Sequence, residues 1–158
     1  MTERLGDAVR AAYGDGADAW LAGPARVYDR LAETVVAALP VALTGERVLD
    51  IGAGTGAVAR AVRAVGGLPV ALDTAAEMRR LTHRDGLRSV QGDAARLPFR
   101  SGAFAAAVAA FSFTHVPELV TAVREAARVV VDDGAVVAAA SPTRRRAPSN
   151  GPSMTPPA

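Results

Sequence analysis

Two periodicities divide this chain of 158 residues. Residues 1–44 carry helical spacing, and residues 45–141 alternate short apolar runs with amphipathic segments. The first part predicts helices over residues 2–13 and 26–39, separated by Gly23-Pro24. In the second helix Val27, Leu31, Val35 and Ala38 recur at spacings of four, four and three, which makes one apolar stripe suited to docking on a larger body. Pro40 stops it.

From Arg47 the pattern changes. Val48-Leu49-Asp50-Ile51 reads as a first strand, and a helix over residues 55–65 follows with Val58, Ala61, Val62 and Val65 on one face. A strand over residues 69–72, a helix over 75–84 and a strand over 88–91 come next. Residues 105–111 are read as a fourth strand from their place in the alternation, since an alanine-rich run has helical propensity. A helix over 118–131, with Val120, Val123, Ala127 and Val130 turned inward, leads to a fifth strand over 134–140. Such alternation predicts an α/β fold, a Rossmann-like doubly wound and mainly parallel sheet of about five strands, with N-terminal capping helices. The expected domains are a helical cap (1–44), a core (45–141) and a disordered tail (142–158), whose prolines, serines and arginines offer little to bury.

Composition narrows the chemistry. There is no cysteine, which excludes disulfides and thiolate nucleophiles, and the two histidines lie far apart, so no metal site is expected. The net charge of +2 becomes −1 without the triplet Arg144-Arg145-Arg146, so the body carries no phosphate-binding stripe and no nucleic-acid partner is expected. No apolar run approaches the ~20 residues of a bilayer span, and the first ten residues lack a secretory apolar segment. A cytoplasmic location and no membrane partner are the expectation.

The glycine-rich turn Gly52-Ala53-Gly54-Thr55-Gly56 follows the first strand, at the sheet edge where open parallel sheets bind ligands. Gly52 and Gly54 let backbone approach a ligand, and Gly56 lets the next helix approach the strand. A tight turn without a ligand gives the same triplet. Asp73 ends the second strand, placed to accept from both hydroxyls of a ribose, and Asp93 follows the third, placed to accept from an adenine amino group. Each aspartate alone also suits a helix cap or a turn. Asp50, two residues before the first glycine, sits poorly beside the pyrophosphate of a dinucleotide and suits a cationic sulfonium with an amino-acid tail.

With these residues the sequence resembles the class I S-adenosylmethionine-dependent methyltransferases of small-molecule type. Asp50-Ile51-Gly52-Ala53-Gly54-Thr55-Gly56 is similar to their first motif, Ala71-Leu72-Asp73 to the second, residues 92–99 to the third and residues 109–116 to the fourth. The run Arg124-Glu125-Ala126-Ala127-Arg128-Val129 before Asp133-Gly134 is similar to their approach to strand five. The resemblance implies S-adenosyl-L-methionine as cofactor. It implies Asp50, Gly52, Ala53 and Gly54 at the methionine end, Asp73 and Thr74 at the ribose, and Asp93 and Ala94 at the adenine. It also implies Phe111 offering backbone to the methionine amino group, His115 as a candidate base, and Tyr13, Trp20 and Tyr28 as cap residues lining the cofactor or substrate pocket. For each of these aromatics simple packing is the competing role, and for His115 a structural one.

Three positions depart from the pattern. Ala105 stands where an aspartate usually follows phenylalanine, and Asp132-Asp133-Gly134 replaces a Pro-Gly-Gly turn. No residues after the fifth strand suit the usual last helix and antiparallel strand pair. The expectation is a C-terminally truncated methyltransferase, with a frameshift near Ser141 as its origin and self-association through the uncovered fifth-strand edge. The functions that follow are S-adenosylmethionine-dependent methyl transfer to a small molecule or, alternatively, a non-catalytic remnant that keeps the cofactor site. An NAD-dependent oxidoreductase is disfavoured by Asp50.

Overall fold

The computed structural model describes residues 25–140. The helix expected over residues 2–13, Tyr13, Trp20 and the tail 142–158 lie outside the described residues. Within them the order is α1 (Ala25–Ala37), β1 (Arg47–Ile51), α2 (Ala57–Ala64), β2 (Leu68–Asp73), α3 (Ala76–Arg84), β3 (Arg88–Gln91), β4 (Phe104–Ala110), a single 3-10 turn (Phe113–His115), α4 (Leu119–Val129) and β5 (Val130–Ala139). The strands form one sheet, ordered β3-β2-β1-β4-β5, and every pairing is parallel.

β1 is central, and Val48, Leu49, Asp50 and Ile51 are all buried, which is why it reads as a run rather than an alternation. On one face Val48, Ala106 and Val108 pack with Ala32 and Val36 of α1 and Val58 and Val62 of α2. On the other, Leu49, Ile51, Ala107 and Ala109 pack with Ala122, Ala126 and Val129 of α4. α1 therefore shares the core of the sheet.

The alanine-rich segment is a strand, as its place in the alternation indicates. β4 lies between β1 and β5 and is covered on both faces, so tertiary packing overrides helical propensity. Small residues on both sides of the contact let α4 lie close to the sheet. Of the expected inner face of α4 only Val130 is buried, at the start of β5. Ala122, Ala126 and Val129 are buried, whereas Val120 is 65% exposed, Val123 is 44% exposed and Ala127 faces out. The stripe on α1 is likewise displaced by about one residue. Ala32, Val36 and Leu39 are buried, Val35 is half-buried, and Leu31 and Ala38 are exposed. A helix rich in alanine and valine offers two overlapping stripes, and periodicity alone does not choose between them.

β5 begins four residues earlier than expected. Val130 pairs with Phe104, the register then jumps, and Ala135 pairs with Ala106, so Asp132, Asp133 and Gly134 form an irregular outward loop within the strand rather than a turn before it. Just before it, Arg128 staples the β3–β4 connection to α4. Its guanidinium donates to Glu125 at 2.7 and 2.8 Å, to the Phe99 carbonyl at 2.8 Å and to the Leu97 carbonyl at 3.2 Å, while Glu125 accepts the Leu97 amide at 2.8 Å. β5 is the sheet edge among the described residues, where Val131 and Val136 are exposed, as are Leu119, Val120 and Val123 of α4.

The close β4–α4 contact gives a test of the packing. Ala107 is fully buried against α4, so Ala107→Leu is expected to destabilise the fold by about 1–3 kcal/mol through overpacking. Urea unfolding measures this, and a variant as stable as the parent would contradict the described contact.

Candidate functional site

The carboxyl ends of β1, β2 and β4 open into one cavity of about 400 Å³, a size suited to a small ligand or cofactor. β1 and β4 are neighbours whose following helices leave to opposite faces, the arrangement that opens a crevice in a doubly wound sheet.

The glycine turn forms one wall. The amides of Gly52 and Ala53 both donate to the Leu72 carbonyl, at 2.8 and 3.0 Å, which folds the turn back over β2. Gly54 has φ +52°, and a Cβ there would meet no protein atom within 4 Å. Its side faces cavity space, which is what close approach of a ligand to backbone requires. Gly56, at φ +85°, serves differently from the expectation. A Cβ on it would lie 2.9 Å from Thr82 of α3 and 3.0 Å from Leu87, so its absence lets α2 close on α3 rather than on the strand.

Asp73 braces this wall. One carboxylate oxygen accepts the Gly54 amide at 2.8 Å and the other accepts the Ala75 amide at 2.8 Å. The Thr74 amide also bonds this carboxylate, and of its about four acceptor positions one remains for a ligand hydroxyl. The next residue, Thr74, lines the cavity and accepts from Gln91 through its carbonyl at 3.0 Å. Asp93, exposed on the cavity rim, forms a turn in which its carboxylate accepts the Ala95 amide at 2.9 Å, and buried Ala94 lines the cavity beside it.

The opposite wall comes from the end of β4. Phe111 adopts φ +62°, the single non-glycine residue with positive φ among those described. Its amide donates to the Ala139 carbonyl at 2.7 Å, and its carbonyl accepts the Thr114 hydroxyl at 3.0 Å. Tyr28 from α1 meets the Phe111 ring edge-to-face, with centroids 5.2 Å apart. His115, on the 3-10 turn, is an exposed residue of the cavity lining. Every expected site residue within the described chain thus borders one cavity: Asp50, Gly52, Ala53, Gly54, Asp73, Thr74, Asp93, Ala94, Phe111, His115 and Tyr28.

Sequence reasoning missed Met78, Ser112 and Glu118 in this lining. Met78 is carried by α3 and gives no motif signal. Ser112 directly follows Phe111, and its hydroxyl donates to the Ile51 carbonyl at 2.6 Å, tying the two walls together. Glu118 lies three residues after His115 at the same sheet edge, which is the signal that marks it.

Asp50 is only 2% exposed. One of its oxygens accepts the Ala59 amide at 3.0 Å, an amide in the first turn of α2 that has no intrahelical acceptor. Burial pushes its carboxyl up to about 7, with nearby Asp73 adding to the rise, while the Ala59 bond and Arg60 oppose it. Burial also raises the Asp73 carboxyl, against bonds from the Ala75, Gly54 and Thr74 amides. In the unfolded chain Asp50 titrates near its ordinary 3.8, so between about pH 4 and 7 the folded state holds a proton that the unfolded chain has lost. Stability therefore falls as pH rises through that window and levels off above it, by roughly 3–5 kcal/mol from Asp50. Urea unfolding from pH 4 to 8 is expected to show this decline in the parent and a much flatter profile in Asp50→Asn. Equal slopes in the two proteins would remove Asp50 as the cause.

Comparison with known proteins matches residues 49–138 to the family described as methyltransferase domain. The chain is 38% identical over 109 residues to a demethylmenaquinone methyltransferase of Clavibacter sepedonicus, covering 66% of this chain and 44% of the relative. A demethylmenaquinone methyltransferase of Renibacterium salmoninarum is 34% identical over 119 residues, covering 74% and 48%. Among solved structures, the complex between the Haloferax volcanii Trm112 methyltransferase activator and a methyltransferase gives a TM-score of 0.67 at 27% identity, covering 77% of this chain and 58% of that one. The chain spans about half the length of the curated relatives it matches. With the matched segment running from β1 into β5 and containing the glycine turn, Asp73 and Asp93, the chain belongs to the methyltransferase domain family.

Proposed function

We propose that the cavity binds S-adenosyl-L-methionine and that the chain transfers its methyl group to a small molecule. The observation that carries this reading is the pairing of Gly54 with Asp73. A backbone stripped of its Cβ faces open cavity, and the carboxylate that fixes it lines that cavity with acceptor capacity left beyond its amide bonds. That combination fits an adenosine with a free ribose diol. Asp50 on the cavity lining is the counter-charge for a cationic amino-acid tail, whose positive charge favours the ionised carboxylate, and Asp93 with Ala94 takes the adenine end. The backbone at Phe111 keeps one carbonyl lone pair beyond the Thr114 bond for the amino group.

When bound, the cofactor supplies an electrophilic methyl on a sulfonium. The chain's own work is alignment and exclusion of water, which give most of the advantage in such a transfer. His115 on the rim is the group we assign to receive the proton released by the acceptor. Ala32, Val116 and the Tyr28–Phe111 pair add apolar surface to the same cavity, which favours an acceptor with a flat apolar body. The names of the relatives make demethylmenaquinone the first acceptor to assay.

Calorimetric titration with S-adenosylmethionine and S-adenosylhomocysteine is expected to show saturable binding. Asp73→Ala should weaken it about tenfold to a hundredfold through lost charge-assisted hydrogen bonds. Thermal unfolding of both proteins separates this from loss of the turn that Asp73 braces. A folded parent that binds neither ligand, or that prefers NAD, would overturn the proposal. Methylated product from demethylmenaquinone would extend it from binding to catalysis.

A further inference from the structure

Arg60 gathers three parts of the molecule that sequence order keeps apart. From α2, one terminal nitrogen donates to the Thr55 carbonyl in the glycine turn at 2.7 Å and to Asp85, just after α3, at 3.2 Å. Its other terminal nitrogen donates to Asp29 of α1 at 2.8 Å. A planar guanidinium with fixed donor directions holds such partners in one geometry, which a lysine cannot reproduce. Arg63 reinforces the corner by donating to the Asp85 carbonyl at 3.0 Å.

The contact stands next to the cavity at both ends. Thr55 belongs to the glycine wall, and Asp29 directly follows Tyr28, whose ring meets Phe111 on the opposite wall. Further along α1 the grip is apolar, through Ala32 and Val36. Apolar packing is non-directional, whereas the guanidinium bonds are directional and set the register of the helix's N-terminal half against the glycine turn.

We propose that Arg60 is a positioning residue: its bonds to Asp29 and Thr55 lock α1 to the glycine turn and hold Tyr28 against Phe111, closing that side of the cavity over bound cofactor. The cofactor half of this inference rests on the function proposed above. The ion pair is partly exposed, with 30% of the Arg60 side chain and 45% of the Asp29 side chain accessible, so salt weakens the lock.

The test uses the full chain in two measurements. In the first, hydrogen exchange is followed without ligand in the parent and in Asp29→Asn. Faster exchange is expected in both α1 and the turn of residues 52–56, and unchanged exchange in the turn would overturn the lock whatever the chain binds. In the second, release of S-adenosylhomocysteine is timed in the parent, Asp29→Asn, Arg60→Gln and Arg60→Lys, each alone and combined with Tyr28→Ala. The single variants are expected to speed release about twofold to fivefold, the size of effect typical of a partly exposed ion pair, and high salt should do the same to the parent. In the Tyr28→Ala background the effect should vanish. An equal effect in that background, or a lowered melting temperature with unaltered release, would reduce Arg60 to a stabilising residue and overturn the proposal. A parent that binds no S-adenosylhomocysteine overturns the proposed function instead, and the exchange result alone then decides the lock.

Discussion

A parallel sheet ends all its strands on one edge, and everything at the cavity depends on that constraint. β1 and β4 run side by side, but α2 leaves β1 toward the face that α1 also covers, and α4 leaves β4 toward the other. The chain diverges at this junction and leaves a crevice that no side chain of the sheet fills. Hydrogen bonds then hold the crevice to shape. Ser112 ties the end of β4 to the end of β1, and the Leu72 carbonyl and Asp73 draw the glycine turn toward β2.

The cavity edge also holds two groups in costly states. Asp50 is a carboxylate buried beside a second carboxylate, and Phe111 holds a backbone conformation that costs about 1–3 kcal/mol outside glycine. Both are sustained by surroundings that over-determine them. The first turn of α2 needs an acceptor for its Ala59 amide, and the Phe111 amide and carbonyl are both satisfied by Ala139 and Thr114. Strain of this kind collects where binding geometry, rather than packing, sets the chain path.

Much of this was legible in the sequence because strand order and glycine spacing are local signals. The five strands, their alternation with helices and the three aspartates at one edge follow from short runs and their spacing. Helix orientation did not. In α4 the larger apolar residues Val120 and Val123 suggested the buried face, while the sheet packs on Ala122 and Ala126, and in α1 the buried stripe lies about one residue from the expected one. That choice depends on the distance between layers, which no stretch of a single helix encodes. The role of Arg60 was not legible either, because its partners Asp29 and Asp85 are distant in sequence and only the packing of α1 and α3 around α2 brings them together.

The irregular loop in β5 has its own consequence for how the sheet meets other molecules. Asp132 and Asp133 stand exposed within the outermost strand, where they place two negative charges and a kink in the row of unpaired edge groups. Regular pairing is left only to residues 135–139, a template of five residues rather than ten. Among the described residues, the regular part of this edge is therefore short and bordered by negative charge, which disfavours continuous pairing along it.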